Sequence, residues 1–356
     1  MKTKNTTATI LIIYTGGTIG MIRNRRTGAL EAYDFQHVRH WIPELENFDY
    51  DIHSYAFDPP IDSSDMQPSH WAAIVRVIAD HYDEYDGFVI LHGTDTMSYT
   101  ASALSFMLRG LSKPVILTGS QLPISMIRTD GRENLLTSIE IAAAKDSEGR
   151  AMVPEVCIFF ENRLLRGNRT TKINAEGFNA FRSFNFPSLA HAGIHIKYDL
   201  PLIRRPEAGA PFDPHFEMDN HVVVLTLFPG IRRDIVSAVV GIPGLRAIVL
   251  RTFGAGNAPQ KPWLIDALRS AGEKGIVVVN VTQCSEGSTE MDRYSTGLQL
   301  LETGIIAGRD ATVESTITKL MFLLAHDLTP DQVRGYMTRD LRGEITTRRF
   351  PIERSL

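Results

Sequence analysis

Short apolar runs recur along the chain, each followed within a few residues by glycine, asparagine or threonine. They are Ala8–Tyr14, Gly87–Leu91, Pro114–Leu117, Val156–Phe160, Val222–Leu227, Ala247–Leu250 and Ile276–Val281. Continuous runs rich in valine, isoleucine and phenylalanine are typical of strands buried on both faces, as in parallel sheets. The sequence therefore predicts parallel strands separated by longer connecting segments.

The segment after the first glycine-rich turn carries helical periodicity. From Trp71 to Tyr82, apolar residues recur at the i, i+3, i+4, i+7 spacing of one helix face, and Ser69 is placed to cap this helix. Asp130 and Glu133 have the spacing of a capping box before a helix over 135–144. Strand–helix alternation of this kind predicts an α/β protein.

A third helix start is predicted near the end of the chain. Thr329 precedes Pro330, and Gln332 follows at the third helical position, which is the order expected of a capped helix.

The stretch 199–220 contains four prolines and no periodicity. We interpret it as a linker between an N-terminal α/β domain, residues 1–198, and a smaller α/β domain, residues 221–356.

Composition narrows the classes of protein. The formal net charge of −4 gives no positive field that would attract nucleic acid or an anionic membrane. Cys157 and Cys284 are the only cysteines, which excludes a disulfide scaffold and favours a reducing compartment. The first apolar run is too short to span a membrane, and we expect a cytoplasmic protein without a targeting segment.

Polar motifs follow four of the predicted strands. They are Thr15–Gly20, His92–Thr96, Thr118–Gln121, and Glu161–Arg163 with Gly167–Lys172 after it. Ligands of open parallel sheets bind beyond the carboxyl ends of the strands, so we expect these loops to meet in one crevice.

The motifs supply a set of groups sufficient for nucleophilic catalysis. A threonine hydroxyl attacks only when a base takes its proton; Lys172 is such a base, and Asp95 would orient it. Other interpretations stay open from the residues alone. The Thr15–Thr18 segment also fits a tight turn or, less well, a phosphate loop. Asp95 also fits a helix cap, and Lys172 a solvated loop lysine.

These motifs, in this order, resemble those of the bacterial type I, cytoplasmic L-asparaginases. The segments that carry the resemblance are Thr15–Gly20, Asp62–Met66, His92–Met97, Thr118–Gln121, Arg166–Lys172, Gly254–Gln260 and Thr282–Cys284. The resemblance runs from Tyr14 to about Glu344. It implies a two-domain asparaginase-like fold, with a parallel-sheet N-terminal domain and a flavodoxin-like C-terminal domain.

The resemblance also implies a reaction, the hydrolysis of L-asparagine to L-aspartate and ammonia in asparagine catabolism. Thr18 would attack the side-chain amide and form an acyl-enzyme, and Thr94, Asp95 and Lys172 would form the second hydroxyl–base group. The family places a tyrosine on a mobile loop after the nucleophile. This chain has none between Ile19 and Ala32, so Tyr33 is the candidate for that role.

Binding roles are implied in the same way. Asp62, Ser63 and Ser64 would hold the α-amino and α-carboxyl groups, as suits a carboxylate and two hydroxyls, and Ser120 is a further candidate. Asn257 would complete the active site of a neighbouring subunit, which implies a homodimer or a homotetramer.

Some members of the family bind asparagine at a second, regulatory site. Thr171, Arg251 and Cys284 match positions of that site, although from the residues alone Arg251 and Cys284 also suit structural roles at strand ends. No metal or organic cofactor is expected, because the histidine and cysteine spacings match no common metal motif.

Two other functions remain as alternatives. Related chains serve as the amidase component of a tRNA-dependent amidotransferase, but these carry extra N-terminal sequence, and here the first motif begins at Thr15. A non-catalytic amino-acid sensor would use the same pocket. The preference between asparagine and glutamine depends on one methylene and is not fixed by sequence.

Overall fold

The computed structural model describes residues 7–23, 30–32, 42–291 and 295–347. The chain divides into two compact units. The first comprises Met1–Ser183 and Pro187–Phe216, and the second comprises Phe184–Phe186 and Glu217–Leu356. The linker over 199–220 and the domain limits derived from it stay a prediction.

The first unit is built on an eight-stranded sheet with short accessory strands. Its strands are β1 (Thr9–Tyr14), β2 (Met21–Arg23), β3 (Leu30–Ala32), β4 (Asp51–Ala56), β5 (Gly87–Leu91), β6 (Leu108–Arg109), β7 (Val115–Thr118), β8 (Val156–Phe160), β9 (Arg163–Arg166), β10 (Thr171–Lys172), β11 (Phe181–Arg182), β12 (Ala190–His191), β13 (Lys197–Tyr198) and β14 (Asp213–Pro214). The sheet order is β13-β12-β9-β8-β7-β5-β1-β4. Strands β8, β7, β5, β1 and β4 are parallel to one another, and β9, β12 and β13 are added antiparallel.

The apolar runs form the centre of this sheet, as predicted. Every residue of β5, β7 and β8 is buried, because helices cover both faces of a parallel sheet. Strand β4 was missed by the sequence pattern: of its six residues only Ile52 is buried, as befits an edge strand.

In the described part of the first unit, the helices that accompany the sheet are α1 (Pro68–Asp80), α2 (Met97–Met107) and α3 (Gly131–Ala143). The predicted cap of α1 was wrong. Pro68 is the first helical residue, Gln67 is the cap residue, and its backbone N–H donates to His70 Nδ1. Proline suits the first helical position because its missing N–H has no partner there in any helix.

The predicted capping box at Asp130 is also not formed. Asp130 has helical backbone angles and makes no side-chain cap hydrogen bond to α3. Its carboxylate instead accepts hydrogen bonds from the backbone N–H groups of Gln121 and Leu122. A residue with the sequence signature of a helix cap is therefore used to hold a neighbouring loop.

The carboxyl ends of the parallel strands lie side by side. In the strand register Tyr14 is paired with both Ala56 and Leu91, and Leu91 with Thr118. The loops that begin at Thr15, His92 and Gly119 therefore leave one edge of the sheet together.

The fourth motif reaches this edge by another path. Glu161 and Asn162, both with positive φ, form a tight hairpin turn, and β9 runs back antiparallel to β8. The chain then continues through a 3₁₀ turn, Gly167–Arg169, before β10 brings Lys172 towards the edge. Glu161 and Asn162 thus form a turn at the carboxyl end of β8, and Arg163 is the first residue of β9.

The second unit is a smaller α/β domain. Its parallel sheet contains β15 (Val222–Thr226), β16 (Ala247–Thr252), β17 (Val277–Thr282) and β18 (Ile306–Ala307), in that order. Its helices are α4 (Arg233–Val240), α5 (Pro262–Glu273), α6 (Ser295–Leu301), α7 (Val313–Leu324) and α8 (Pro330–Met337).

The predicted start of α8 is confirmed. Thr329 and Gln332 form a capping box, with Pro330 at the first helical position. Apolar side chains of β15, β16, β17, α4 and α5 form one buried cluster that includes Leu227, Leu250 and Leu268. Among the described residues, no helix has the length and apolar character that a membrane crossing requires.

Candidate active site

Two glycines bring the first loop of the sheet edge against its neighbours. Gly16 and Gly17 have φ of 137° and 95°, which side chains rarely adopt. A methyl group on Gly16 would lie 2.2 Å from the carbonyl oxygen of Ile61, and one on Gly17 would lie 2.5 Å from the nitrogen of Gly93. The residues immediately before Thr18 and Thr94 are therefore in contact.

Thr18 itself begins a short 3₁₀ helix, Thr18–Gly20, and is half-buried. The loop before it is fixed at both ends by backbone hydrogen bonds, from Thr15 to Leu91 and from Ile61 to Thr15. The hydroxyl of Thr15 also donates to Leu91 O and is not available for chemistry. Of the two threonines in the Thr15–Thr18 segment, the second is thus the candidate nucleophile.

Lys172 joins the hydroxyl and the carboxylate of the second loop. Its ammonium donates to Thr94 Oγ1 at 2.8 Å and to Asp95 Oδ1 at 2.6 Å. Thr94 and Lys172 are 78 residues apart in sequence. Three residues of the predicted hydroxyl–base group are therefore brought together.

The pair between Lys172 and Asp95 is not a stabilising core feature. The Asp95 side chain is 65% exposed and that of Lys172 is 18% exposed. Ion pairs in such contact with water contribute about 0–1 kcal/mol to stability. The contact places the Lys172 amine between Asp95 and the hydroxyl of Thr94.

The buried His92 holds the loop that follows β5 through hydrogen bonds. Nδ1 of His92 lies 2.7 Å from Gly93 O, and Nε2 lies 2.9 Å from Thr100 Oγ1, which accepts a bond from Trp71 Nε1 at 3.0 Å. Since a carbonyl oxygen only accepts, Nδ1 carries the proton, and Thr100 donates to Nε2. Burial lowers the pKa of His92 to about 4, so the ring is neutral and holds the Gly93 carbonyl in place.

The loop that follows β4 supplies the candidate substrate-binding groups. Asp62 Oδ1 accepts hydrogen bonds from both the backbone N–H and the hydroxyl of Ser64, each at 2.9 Å. These bonds, the backbone one first, hold the pKa of Asp62 below its usual range. Asp62 is thus a carboxylate at neutral pH, and the hydroxyl of Ser64 donates a hydrogen bond to it.

Ser63 lies between this loop and the second one. It is buried; a methyl group on Gly93 would approach its Oγ to 2.4 Å, and its carbonyl accepts from Thr96 Oγ1 at 2.6 Å. Asp62, Ser63 and Ser64 therefore belong to the same edge as Thr94.

The third loop holds one predicted residue and one that sequence analysis overlooked. The hydroxyl of Ser120 donates to Leu122 O at 2.5 Å, which leaves only its lone pairs for a ligand. Gln121 accepts a hydrogen bond from Thr94 at 3.2 Å and donates from Nε2 to Gly177 O at 3.0 Å. Gln121 is part of the quoted Thr118–Gln121 motif, but no pattern in the sequence pairs it with Gly177.

The remaining predicted site residues are divided between the two units. Asn257 and Arg251 belong to the second unit, where Asn257 closes a short turn from Phe253. Cys284 is exposed two residues after β17, and Gln283 beside it donates to Arg251 O at 3.0 Å. Thr171 lies in the first unit next to Lys172.

Two further predictions concern Tyr33 and the absence of a metal. Tyr33 lies outside the described residues. Within the described part of the chain, no three histidine, cysteine, aspartate or glutamate side chains are grouped as a metal ion would need.

Known proteins share this fold. Residues 9–204 match the family model described as asparaginase, N-terminal, and residues 221–337 match the glutaminase/asparaginase C-terminal domain. The chain is 46% identical to L-asparaginase 1 of Escherichia coli, over 95% of this chain and 98% of that protein. The chain belongs to the asparaginase family.

A solved structure and a more distant relative complete the comparison. The crystal structure of L-asparaginase I from Vibrio cholerae superimposes with a TM-score of 0.86 at 41% identity, covering 96% of this chain and 99% of that one. A component of the glutamyl-tRNA(Gln) amidotransferase of Pyrococcus abyssi is 32% identical over 95% of this chain and 76% of its own length.

Proposed function

We propose that this chain is an amidohydrolase that converts L-asparagine and water into L-aspartate and ammonia. The observation that carries the proposal is the contact of the Lys172 ammonium with Thr94 Oγ1, at 2.8 Å, and with Asp95 Oδ1, at 2.6 Å. Thr94 and Asp95 directly follow Gly93, and Gly93 touches Gly17, the residue before Thr18. Membership of the asparaginase family supports the same reaction.

In the proposed mechanism Thr18 Oγ attacks the side-chain amide carbon of asparagine. The C–N bond then breaks, the nitrogen leaves as ammonia after gaining a proton, and a β-aspartyl ester remains on Thr18. Water attacks this ester, aspartate leaves, and the proton returns to Thr18 Oγ.

Thr94 and Lys172 form the group that moves protons in this scheme. Lys172 lies within hydrogen-bond distance of the hydroxyl, which is the reach that general acid–base catalysis requires. Asp95 holds the amine in this position through its own 2.6 Å contact. Water access at Asp95 allows the group to exchange protons with solvent between turnovers.

Substrate would be held by the loop that precedes α1. Asp62 Oδ1 is already engaged by Ser64, and its second oxygen faces the α-ammonium group in this scheme. The hydroxyl of Ser63 would donate to the α-carboxylate. Ser64 contributes by keeping Asp62 ionised.

The test is a steady-state assay of ammonia release from asparagine and glutamine over a wide concentration range. Thr18→Ala should fold normally and lose activity by about four orders of magnitude or more, as when a covalent nucleophile is removed. Thr226→Ala, an exposed threonine on β15, is the matched control and should retain activity. Full activity in folded Thr18→Ala would refute the mechanism.

The same assay separates the alternatives. Ammonia release that requires tRNA and a partner protein would favour an amidotransferase component, the class to which the Pyrococcus abyssi relative's name belongs. A calorimetric titration in which asparagine binds without being consumed would favour a sensor.

We also propose a cytoplasmic homodimer or homotetramer, in which Asn257 of a second copy completes each site. The unpaired state of both cysteines is consistent with a reducing compartment. Tyr33 as the assisting tyrosine, and Thr171, Arg251 and Cys284 as effector residues, stay predictions. Light scattering measures the assembly, and sigmoidal kinetics in the assay above would support the effector site.

A further inference from the structure

Gln121 occupies a position between the catalytic hydroxyl and the turn that follows Lys172. Its Nε2 donates to Gly177 O at 3.0 Å, and its Oε1 receives the hydroxyl proton of Thr94 at 3.2 Å. Because a carbonyl oxygen only accepts, the contact with Gly177 fixes which end of the amide is nitrogen. The other end is therefore an acceptor, and Thr94 must donate to it.

This orientation sets the direction of every hydrogen bond in the group. Thr94 Oγ1 has one proton, which it gives to Gln121, so it meets Lys172 with a lone pair. Lys172 correspondingly donates to Thr94 Oγ1, at 2.8 Å. The hydroxyl proton of Thr94 is thus directed towards Gln121 and away from Lys172.

The contacts also close a ring. Lys172 and Gly177 belong to one hairpin, in which β10 pairs with β11 and Ile173 N donates to Ala180 O. The hairpin holds Lys172, Lys172 holds Thr94, and Gln121 connects Thr94 back to the hairpin at Gly177.

Both supports of Gln121 are themselves fixed. Its backbone N–H donates to the Asp130 carboxylate at 3.0 and 3.1 Å, which explains why Asp130 does not cap α3. On the other side, Asn174 Oδ1 accepts from the N–H groups of Glu176 and Gly177, each at 2.9 Å. The Gly177 carbonyl is therefore presented by an ordered turn.

We propose that Gln121 is a positioning residue that holds Thr94 in register with Lys172 and sets the direction of the Thr94 hydroxyl proton before turnover. The inference rests on the proposed amidohydrolase function. The amide is suited to this position because it donates to Gly177 and accepts from Thr94 at neutral pH, whereas a carboxylate only accepts.

The decisive variant is Gln121→Glu. An ionised carboxylate cannot donate to Gly177 O and repels it, whereas a protonated carboxyl donates through its O–H and accepts through its C=O. We expect kcat of Gln121→Glu to fall about tenfold to hundredfold at neutral pH, because one partly buried hydrogen bond is lost, and to recover as pH falls. KM should change much less than kcat.

Two further variants complete the experiment. Gln121→Met has similar length and no polar end, so its kcat should be low at all pH values. Gln332→Glu is the matched control, because an exposed glutamine in a capping box accepts replacement by glutamate. Its pH profile should follow that of the wild type.

A Gln121→Glu variant that matches the wild type at neutral pH, or that matches Gln121→Met at every pH, would overturn the inference. A crystal structure of Gln121→Met gives a readout independent of activity. Displacement of the Thr94 side chain or of the 174–179 turn supports the role, and unchanged positions of both overturn it. Absence of asparagine hydrolysis in the wild type would instead refute the proposed function.

Discussion

Each unit contains a close lysine–carboxylate pair. The two pairs have similar N–O distances but differ in their exposure to water and in their neighbouring groups. Lys172 and Asp95 are 2.6 Å apart in the first unit, with side chains 18% and 65% exposed. Lys319 and Glu344 are 2.5 Å apart in the second, with side chains 2% and 1% exposed. The first pair meets water and a hydroxyl group, and the second is enclosed by protein.

The enclosed pair is satisfied on all sides. Lys319 also donates to the carbonyl oxygens of Met337 and Arg339, and Glu344 accepts from the N–H groups of Leu341 and Arg342. Burial lowers the pKa of Lys319, while Glu344 opposes the shift. Burial would raise the pKa of Glu344, but Lys319 and the two N–H groups hold it below its usual range.

The comparison shows that a short ion pair is not by itself a sign of function. Lys319 uses its donors on backbone carbonyls and a carboxylate, which ties α7 to the segment after α8. Lys172 uses one donor on the hydroxyl of Thr94, which moves protons in the proposed mechanism. The two pairs are therefore distinguished by their neighbouring groups rather than by their N–O distances.

The largest expected effect comes from breaking the exposed pair. Lys172→Met should lower kcat by about 10²–10⁴, the contribution typical of general acid–base groups. The free energy of unfolding should change by less than about 1 kcal/mol, because the pair is exposed. Kinetics and urea unfolding measure the two effects. Lys197→Met, at an exposed lysine on β13, is the control, and a large loss of stability in Lys172→Met would contradict the comparison.

Breaking the enclosed pair should give the opposite pattern. Lys319→Met leaves a buried carboxylate without its partner, and we expect a loss of about 3–5 kcal/mol in unfolding free energy. The activity per folded molecule should be unchanged. Replacing both partners by apolar residues should restore most of the stability, and a double variant as unstable as the single one would show that the pair is not the cause.

His92 extends the comparison to a buried group that avoids charge instead of pairing it. Its folded pKa of about 4 lies below the usual value of 6.5, so between these values the unfolded chain binds a proton that the folded chain does not. Stability is therefore full above about pH 6.5 and falls as pH decreases, by about 2 kcal/mol at pH 5. Urea unfolding of the wild type and of His92→Asn, above about pH 6.5 and at about pH 5, tests this loss of stability.

The His92→Asn variant should lack the part of the decrease in unfolding free energy that His92 causes on acidification. His195→Asn, at an exposed histidine, should keep it. An equal loss of stability on acidification in wild type and His92→Asn would show that His92 is not the responsible group.

The smallest effect calibrates the scale with an uncharged hydrogen bond. Thr329→Ala removes the cap of α8 and should cost about 1 kcal/mol of unfolding free energy, without a change in kcat. Thermal unfolding and the ammonia assay measure both. A cost as large as that of Lys319→Met would mean that α8, rather than the ion pair, governs the stability of this region.

Much of the fold was predictable because burial leaves a continuous apolar signature. The buried strands β1, β5, β7 and β8 coincide with the predicted runs to within one residue at each end. Strand β4 was not predictable in this way, since almost all of its residues are exposed. The edge strand β4 has no apolar run to reveal it, whereas β15, at the edge of the second sheet, has one and was predicted.

The site was partly predictable for a related reason. Parallel strands bring their carboxyl ends to one edge, so Thr18 and Thr94 were expected there because each follows a predicted strand. Asp130 and Gln121 were not, because their partners are chosen by tertiary contact. Asp130 has the same local signature as Thr329, yet one holds a loop and the other caps a helix.

The hydrogen-bonded chain from Trp71 through Thr100 to His92 has an optical consequence. The indole N–H lies at the far end of the network that fixes the Gly93 carbonyl, one peptide from Thr94. Indole emission responds to hydrogen bonding, so we expect the emission of Trp71, one of three tryptophans, to change with the state of the loop. Binding of asparagine should then be detectable without a label, by comparison with a variant that lacks Trp71.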